Sequence, residues 1–538
     1  MKTQILNYLQ YFIIRTSIPP LSCLYSLTYS FFIRLATLAL KRIPGIASIY
    51  LRRGLASGEA VWGLSDIDLL VLVNDGCALN QEKVINTYNR LSRLIPLFGN
   101  RAAELGLYQI SEFLNLYANH RSYRYRFNEG KHGWKLLYGQ DLVNTLQPIE
   151  NTELCFLSAE ELKVWWAYLA AEFQTDMDQP TFKRKYVWYK AIAEASKTCL
   201  LISLGAQNLT RKAALGAIRE QTPLEFRPML EELRDLRPWL AGGTPVKADV
   251  LFEIFFWLAA LSQEQLGQRI SGEAIGPLAE AVIPAEGEML LDGSVVSSVK
   301  ELIVRQVKGI GPYLEWIALI PQVEFDTDIL NNTDIDSFSL VLVLKNAAPL
   351  NALQNYVSCF RQNSILKRIE PFMVVRGKVG FSLLPRFPQS CVKGRFSDNL
   401  FFSLVNAGCL GSDDNPLTPK TTQVGFRLPP GFENVLRNRV ECIDSLIASR
   451  EIYKVRALDF CHFFWAAART KLLAVSISNA GVNIPLTSRQ ISCQLIRKFP
   501  EKAGWIDSLY HEYCREFRGE ESKIPLFFTE CLDLLYLI

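Results

Sequence analysis

No two of the 12 cysteines stand at C-x-x-C spacing, so the chain offers neither a zinc ribbon nor a thioredoxin-type redox pair. They are scattered from Cys23 to Cys531 and read as reduced, buried thiols that pack as small hydrophobes. Histidine is scarce too. His120, His132, His462 and His511 are the four present, and their dispersal argues against a zinc hydrolase. No run of five or more basic residues occurs, and Lys+Arg outnumber Asp+Glu by only 58 to 54, so there is no strong nucleic-acid signal. Residues 16–33 lack any charge, but Pro19-Pro20 and several Ser/Thr interrupt them before Arg34; a buried or docking helix is expected there, with no membrane span. A secretory signal is not expected either, since Asn7 and Gln10 break the apolar run and no small-residue cleavage site follows. The expected compartment is cytoplasmic.

What is present is 538 residues, 49% hydrophobic and 11% aromatic, enough for three or four domains with substantial cores. The two halves also resemble each other. Displaced by 268 residues, Ser26–Leu51 falls on Ser294–Leu319, with Pro44 opposite Pro312. Without a gap, SDIDLLVLV from Ser65 then falls on TDIDSFSLVLV from Thr333, so Asp66 and Asp68 meet Asp334 and Asp336. Further on the displacement grows to 272: Leu136–Leu142 meets Gly408–Asp414, and Ala191–Leu201 meets Phe463–Leu473. Shared order at a nearly constant displacement predicts a tandem duplication.

Each half reads alike. An amphipathic helix (Ser26–Lys41) leads through Pro44-Gly45 into a strand (Ile46–Leu51), a loop, a second strand (Ile67–Val73) and a helix over Asn80–Leu97. After Leu142 the pattern is helical, over Ala159–Phe173, Phe182–Leu204, Arg211–Glu220 and Asp249–Leu261. The predicted fold class is α+β, two tandem copies of a small mixed-sheet domain followed by a helical-bundle domain. The predicted boundaries are 1–145 and 146–270 for the first copy, a linker over 271–293, then 294–415 and 416–538 for the second.

Residues two apart in a strand project to one face, with α-carbons about 6.6 Å apart, so Asp66 and Asp68 form a hard-oxygen pair suited to Mg²⁺. The D-x-D pattern alone is weak, since it recurs at Asp176/Asp178 and Asp326/Asp328. Context sets the first pair apart. The preceding loop, Arg53–Ser65, carries Gly54, Gly58 and Gly63, whose backbone N–H groups can approach an anion closely.

Leu51–Val71, LRRGLASGEAVWGLSDIDLLV, resembles the loop and strand of the DNA polymerase β-like nucleotidyltransferase superfamily, in particular its minimal and aminoglycoside-type members. The resemblance covers about residues 30–142 well, including LLYGQDL at Leu136–Leu142, and the following helices loosely. It implies transfer of a nucleoside monophosphate from a nucleoside triphosphate (NTP) to a hydroxyl, with pyrophosphate leaving. Asp66 and Asp68 would hold Mg²⁺, two ions or Mn²⁺ in its place, and Glu104 would be the third ligand or the base that takes the acceptor's proton. Gly54, Ser57, Gly58 and Ser65 would meet the triphosphate, and Lys197 would reach it from the helical domain. The sequence departs from the family at its Gly-Ser position, where Arg53-Gly54 or Gly54-Leu55 stands; Ser57 is the substitute serine.

The second copy lacks the loop. Gln322, Asp326 and Asn331 stand opposite Gly54, Gly58 and Gly63, and Phe372 opposite Glu104. It reads as a degenerate unit, making the chain a fused pseudo-dimer. The expected function is therefore a metal-dependent nucleotidyltransferase acting on a small hydroxylated molecule. The alternatives are an inactive binding or assembly protein of the same fold, or an antitoxin-like enzyme that AMPylates a protein acceptor.

Overall fold

The computed structural model describes residues 2–76, 78–94, 105–119, 121–170, 181–242, 245–271, 280–282, 309–321, 338–346, 348–362, 370–375, 380–382, 425–427, 440, 443–444, 457–476, 482–483, 488–517 and 528–538. The chain divides into two units, one formed by Met1–Ser158 with Asp178–Leu251, the other by Ala159–Met177 with Phe252–Ile538.

In the first unit, helices α1 (Lys2–Thr16) and α2 (Leu21–Leu40) lead into strand β1 (Ile46–Leu51), as the sequence predicts for that strand. A one-turn helix α3 (Arg53–Ala56) opens the loop before β2 (Leu69–Val73). Helix α4 (Ala78–Leu94) then crosses to β3 (Gly106–Gln109), which lies parallel to β2. Helices α5 (Ile110–Asn119) and α6 (Arg121–Gly133) return the chain to β4 (Lys135–Gly139), antiparallel to β1. The order across the sheet is β3-β2-β1-β4.

The central strand β2 is apolar at all five positions because both of its faces are covered. Leu69, Val71 and Val73 join Ile49 and Leu51 of β1 in one cluster with Tyr29, Ala36 and Leu40 of α2 and Val84 and Tyr88 of α4. Burying each such aliphatic side chain is worth about 1.5–3 kcal/mol, so this layer fixes the sheet against α2 and α4. On the other face Tyr50 lies 6.3 Å from the Trp134 ring, and Tyr108 lies 5.9 Å from the Phe127 ring.

The predicted strand from Ile67 begins instead at Leu69. Its partner β1 ends at Leu51, and Arg52 turns into α3, so the last ladder bond is Arg52 N–H to the Asp68 carbonyl at 2.9 Å. The uncharged helix expected to be buried or docked is α2. It is long and apolar enough to cross a membrane, yet only 17% of its most apolar window is buried.

Beyond the sheet, the first unit continues in the start of α7 (Asn151–Leu169), in α8 (Thr181–Leu204), α9 (Arg211–Ile218), α10 (Arg227–Arg234) and α11 (Leu236–Ala241), and in the start of α12 (Ala248–Ser271). Helix α8 is buried nearly all round, and even its Lys185 is enclosed. The Lys185 ammonium donates to the Trp239 and Gly242 carbonyls, at 2.7 and 3.0 Å, capping the C-terminus of α11 where cations are favoured.

After a short strand β5 (Glu280–Val282), the second unit builds a four-stranded sheet in which β6 (Leu314–Pro321) pairs antiparallel with β7 (Phe338–Leu344), and helix α13 (Leu350–Gln362) leads to β8 (Glu370–Val375), parallel to β7. A short β9 (Gly380–Ser382) pairs with β8, giving the order β6-β7-β8-β9. The first three strands and the helix repeat the order and directions of β1, β2, α4 and β3. The register also breaks at matching places, between Ile46 and Ser48 and between Leu314 and Trp316. The fourth strand differs: β4 pairs with β1, whereas β9 pairs with β8.

The register corrects one sequence alignment. Leu51 faces Leu69 and Leu319 faces Leu340, so the displacement is already 271 here and three extra residues lie before β7. Asp68, which bonds to Arg52, therefore corresponds to Ser339, which faces Ile320, rather than to Asp336. Asp334 and Asp336 themselves lie outside the described residues, as does the segment aligned with Gly54–Gly63.

Candidate active site

The end of β1 and the entrance to β2 lie side by side, which puts Arg52 and Arg53 next to Asp68. Ile67 between the two acids is buried, as the strand-like alternation requires, yet the acids differ: Asp66 is exposed and Asp68 is only 6% exposed. Asp68 Oδ1 is buried and, among the described residues, has no hydrogen-bond partner. The Arg53 guanidinium stands 3.4 Å from it, an ion-pair contact without hydrogen-bond geometry. Burial pushes the Arg52 guanidinium down, and the Asp68 charge opposes that fall. Gly106 makes room for Arg52, since a Cβ there would stand 3.0 Å from its Nη1.

The loop between the strands is held at several points. Arg53 adopts φ +57°, a conformation costly for a residue with a Cβ, while Gly58 and Gly63 take positive φ without that penalty. Ser65 Oγ accepts the Val61 N–H at 2.8 Å, and the Ser65 carbonyl accepts the Tyr29 hydroxyl at 2.9 Å. Burial, with the Asp66 charge adding to it, pushes the Tyr29 phenol up to about 12. Gly63 sits against α1, where a Cβ would lie 3.1 Å from the Gln10 carbonyl oxygen and 3.2 Å from Ile13 Cβ. Gly63→Ala is therefore expected to destabilise the protein by about 2 kcal/mol, read as a lower urea midpoint at unchanged slope.

Ser57 is exposed, and its hydroxyl lies 3.2 Å from Glu59 Oε2 and 3.5 Å from the Gly54 carbonyl. Gly54 lies in α3, and a Cβ there would approach the Glu59 carbonyl oxygen at 3.3 Å. Glu59 in turn accepts the Arg211 backbone N–H at the start of α9, where a carboxylate is favoured. The Arg211 side chain donates to Glu194 at 2.8 Å, and Lys197 lies 3.1 Å from Glu194 and 3.9 Å from Glu129. So the structure places Lys197 in a carboxylate-rich network that ties the loop to α8 and α9. Another lysine of α8, Lys183, is the one whose charge senses Asp66: burial lowers its ammonium and the Asp66 carboxylate opposes this.

Burial by itself would raise the Glu194 carboxyl, but Lys197 and Arg211 outweigh it and hold the group down at about 2, below its ordinary 4.5. The depressed value means that Glu194 contributes its full stabilisation above pH about 4.5 and loses it as pH falls toward about 2. Glu194→Gln should thus cost stability near neutrality, and its melting-temperature deficit against wild type should shrink on acidification across that window. A deficit independent of pH would remove the charge network as the cause.

Glu104 lies outside the described residues. Among the described residues no group of three His, Cys, Asp or Glu gathers as a metal site. Asp66 and Asp68 still suit a hard cation, because a buried carboxylate oxygen without a hydrogen bond is an unsatisfied anionic donor. Two carboxylates are also enough for Mg²⁺ when water and phosphate oxygens complete its shell. Sequence reasoning passed over Arg52, Arg53, Lys183, Glu59, Glu194 and Arg211. Arg53 was visible in the Arg53-Gly54 that stands at the Gly-Ser position, and Glu194 lies one helix turn from Lys197; the others carry no local signal.

No family model matches the chain, and no curated protein matches it. Among solved structures it is similar to spectinomycin adenyltransferase AAD(9) from Enterococcus faecialis, crystallised with ATP and spectinomycin. The identity is 15% and the TM-score 0.30, covering 43% of this chain and 98% of that one. A likeness this distant carries no argument about activity or substrate.

Proposed function

We propose that the first unit is a nucleotidyltransferase: a hydroxyl acceptor attacks the α-phosphorus of an NTP, and pyrophosphate departs. The observation that carries this reading is the buried, hydrogen-bond-less Asp68 oxygen beside Asp66, at the mouth of a glycine-bearing loop. Asp66 and Asp68 would hold Mg²⁺ or Mn²⁺, which when bound neutralises phosphate charge and lowers the cost of the leaving pyrophosphate. Arg53 faces the same carboxylate and is mobile enough, as an exposed side chain, to exchange Asp68 for a phosphate oxygen. Lys197, or Lys183 whose ammonium feels the Asp66 charge, would bring positive charge to the triphosphate from α8. Glu104 is assigned the proton released as the acceptor oxygen forms its bond to phosphorus. The acceptor is a small hydroxylated molecule, and the reaction is placed in the cytoplasm. The second sheet is a relict copy in the same proposal, supported by its repeated strand order and matching register break, with Ser339 where Asp68 stands.

One observation favours a second reading, a nucleotide-fold binding protein without catalysis: the Arg53–Asp68 pair puts a guanidinium against the carboxylate needed for metal. Radiolabelled ATP and GTP, offered to the full chain with Mg²⁺ and a panel of hydroxylated acceptors, separate the two. The enzyme reading expects pyrophosphate release that falls to background with a chelator and returns with Mg²⁺ or Mn²⁺. Label retained on the protein itself would indicate a protein acceptor. If calorimetry detects no metal-dependent nucleotide binding and no pyrophosphate forms, the proposal is wrong.

A further inference from the structure

Helix α2 has two apolar faces. One, with Tyr29, Ala36 and Leu40, closes the sheet core. The other is open: Leu24, Leu27, Phe31, Leu35 and Leu38 follow a three-to-four residue spacing and are exposed, Leu27 by 67% and Phe31 by 60%. Helix α1 adds exposed Tyr8 and Phe12. Such large side chains, repeated along one helix face, are a contact surface rather than scattered surface apolars.

Charge says what covers it. Residues 1–58 hold seven basic residues, Lys2, Arg15, Arg34, Lys41, Arg42, Arg52 and Arg53, and none of the chain's 54 acids. Arg34, Lys41 and Arg42 are exposed at and beyond the C-terminal half of α2. Apolar stripe and cations together match an anionic lipid surface, which accepts side chains at the acyl boundary and attracts lysine and arginine at the headgroups. A span is excluded by the fold, because crossing the bilayer would withdraw Tyr29, Ala36 and Leu40 from the core and break the Tyr29 bond to Ser65. A second copy is disfavoured, since its matching face carries the same sign of charge.

We infer that α2, with the exposed face of α1, seats this protein on the surface of an anionic membrane. The surface adjoins the Asp66/Asp68 loop through Tyr29, so the protein would work at the lipid boundary without being inserted in it.

Flotation of the full chain with phosphatidylcholine vesicles, with and without phosphatidylserine, tests this. Wild type should float with the anionic vesicles, weakly with neutral ones, and less at high salt. Lys41→Glu/Arg42→Glu should weaken binding by about tenfold or more, and Leu27→Glu/Phe31→Glu by about a hundredfold or more, with circular dichroism and melting unchanged because all four sites are exposed. Wild type left unbound by both vesicle types would overturn the inference. So would a concentration-dependent dimer, abolished by Leu27→Glu/Phe31→Glu, in a protein that does not float. Neither readout depends on nucleotide turnover.

Discussion

Asp68→Asn will lower metal-dependent pyrophosphate release by about a hundredfold or more, and it will also lower the melting temperature, whereas Asp66→Asn will lower release alone. Both acids would hold the cation, so both losses of charge weaken the same chemistry. Their surroundings set them apart. Asp66 is exposed, and neutralising it costs the fold little. Asp68 is buried and is the charge that opposes the burial penalty on Arg52, with Arg53 also 3.4 Å away. Removing it takes away the carboxylate charge that offsets the burial of the Arg52 guanidinium, a loss of about 3 kcal/mol. Parallel chemical denaturation and pyrophosphate assays check the split. Equal stability losses in the two variants would mean that Asp68 does not hold Arg52, and undiminished release in either would remove that residue from the site.

Gly139→Ala carries the largest stability cost expected anywhere in the first unit, about 4 kcal/mol or more. Gly139 has φ +86°, and a Cβ there would stand 1.8 Å from the Ala47 carbonyl oxygen. The obstacle is backbone, so no rotamer change relieves it. Ala47 lies where the β1 register breaks, and its carbonyl accepts the Gln140 N–H, so β4 can be accommodated only by moving away from β1. That movement breaks the turn built on Tyr50, whose hydroxyl donates to the Gln140 carbonyl at 3.0 Å and accepts the Val143 N–H at 3.2 Å. Thermal unfolding with far-ultraviolet circular dichroism reads the loss. A drop of only a degree or two would show that the bulge absorbs the methyl group.

Legibility in the sequence followed the range of the interactions. Strand β1 and helix α8 were read to within a residue because their signals are local: a short apolar run after Pro44-Gly45, and a long apolar helix pattern. The spacing of Asp66 and Asp68 after a glycine-bearing loop was legible; that one acid is exposed and the other buried was not. Helices α5 and α6 were not, because Arg121–Gly133 is too polar to show a core-facing period. Lys197 was assigned to the triphosphate by resemblance; its contact with Glu194 is one helix turn away on α8, whereas Glu129 is brought in by tertiary contact. Strand pairing puts Ser339, opposite Ile320, at the sheet position that Asp68 holds opposite Arg52, a register that the two identical D-I-D triplets did not reveal.

The bond from Glu59 to Arg211 joins residues 152 apart. During synthesis at about 5–20 residues per second, the loop between β1 and β2 thus leaves the ribosome roughly 8 to 30 seconds before the helix that fastens it. The sheet can form in that interval, but the loop stays untethered from α9. A nascent chain halted short of Arg211 would own both acids and still lack the anchor that gives their loop its shape.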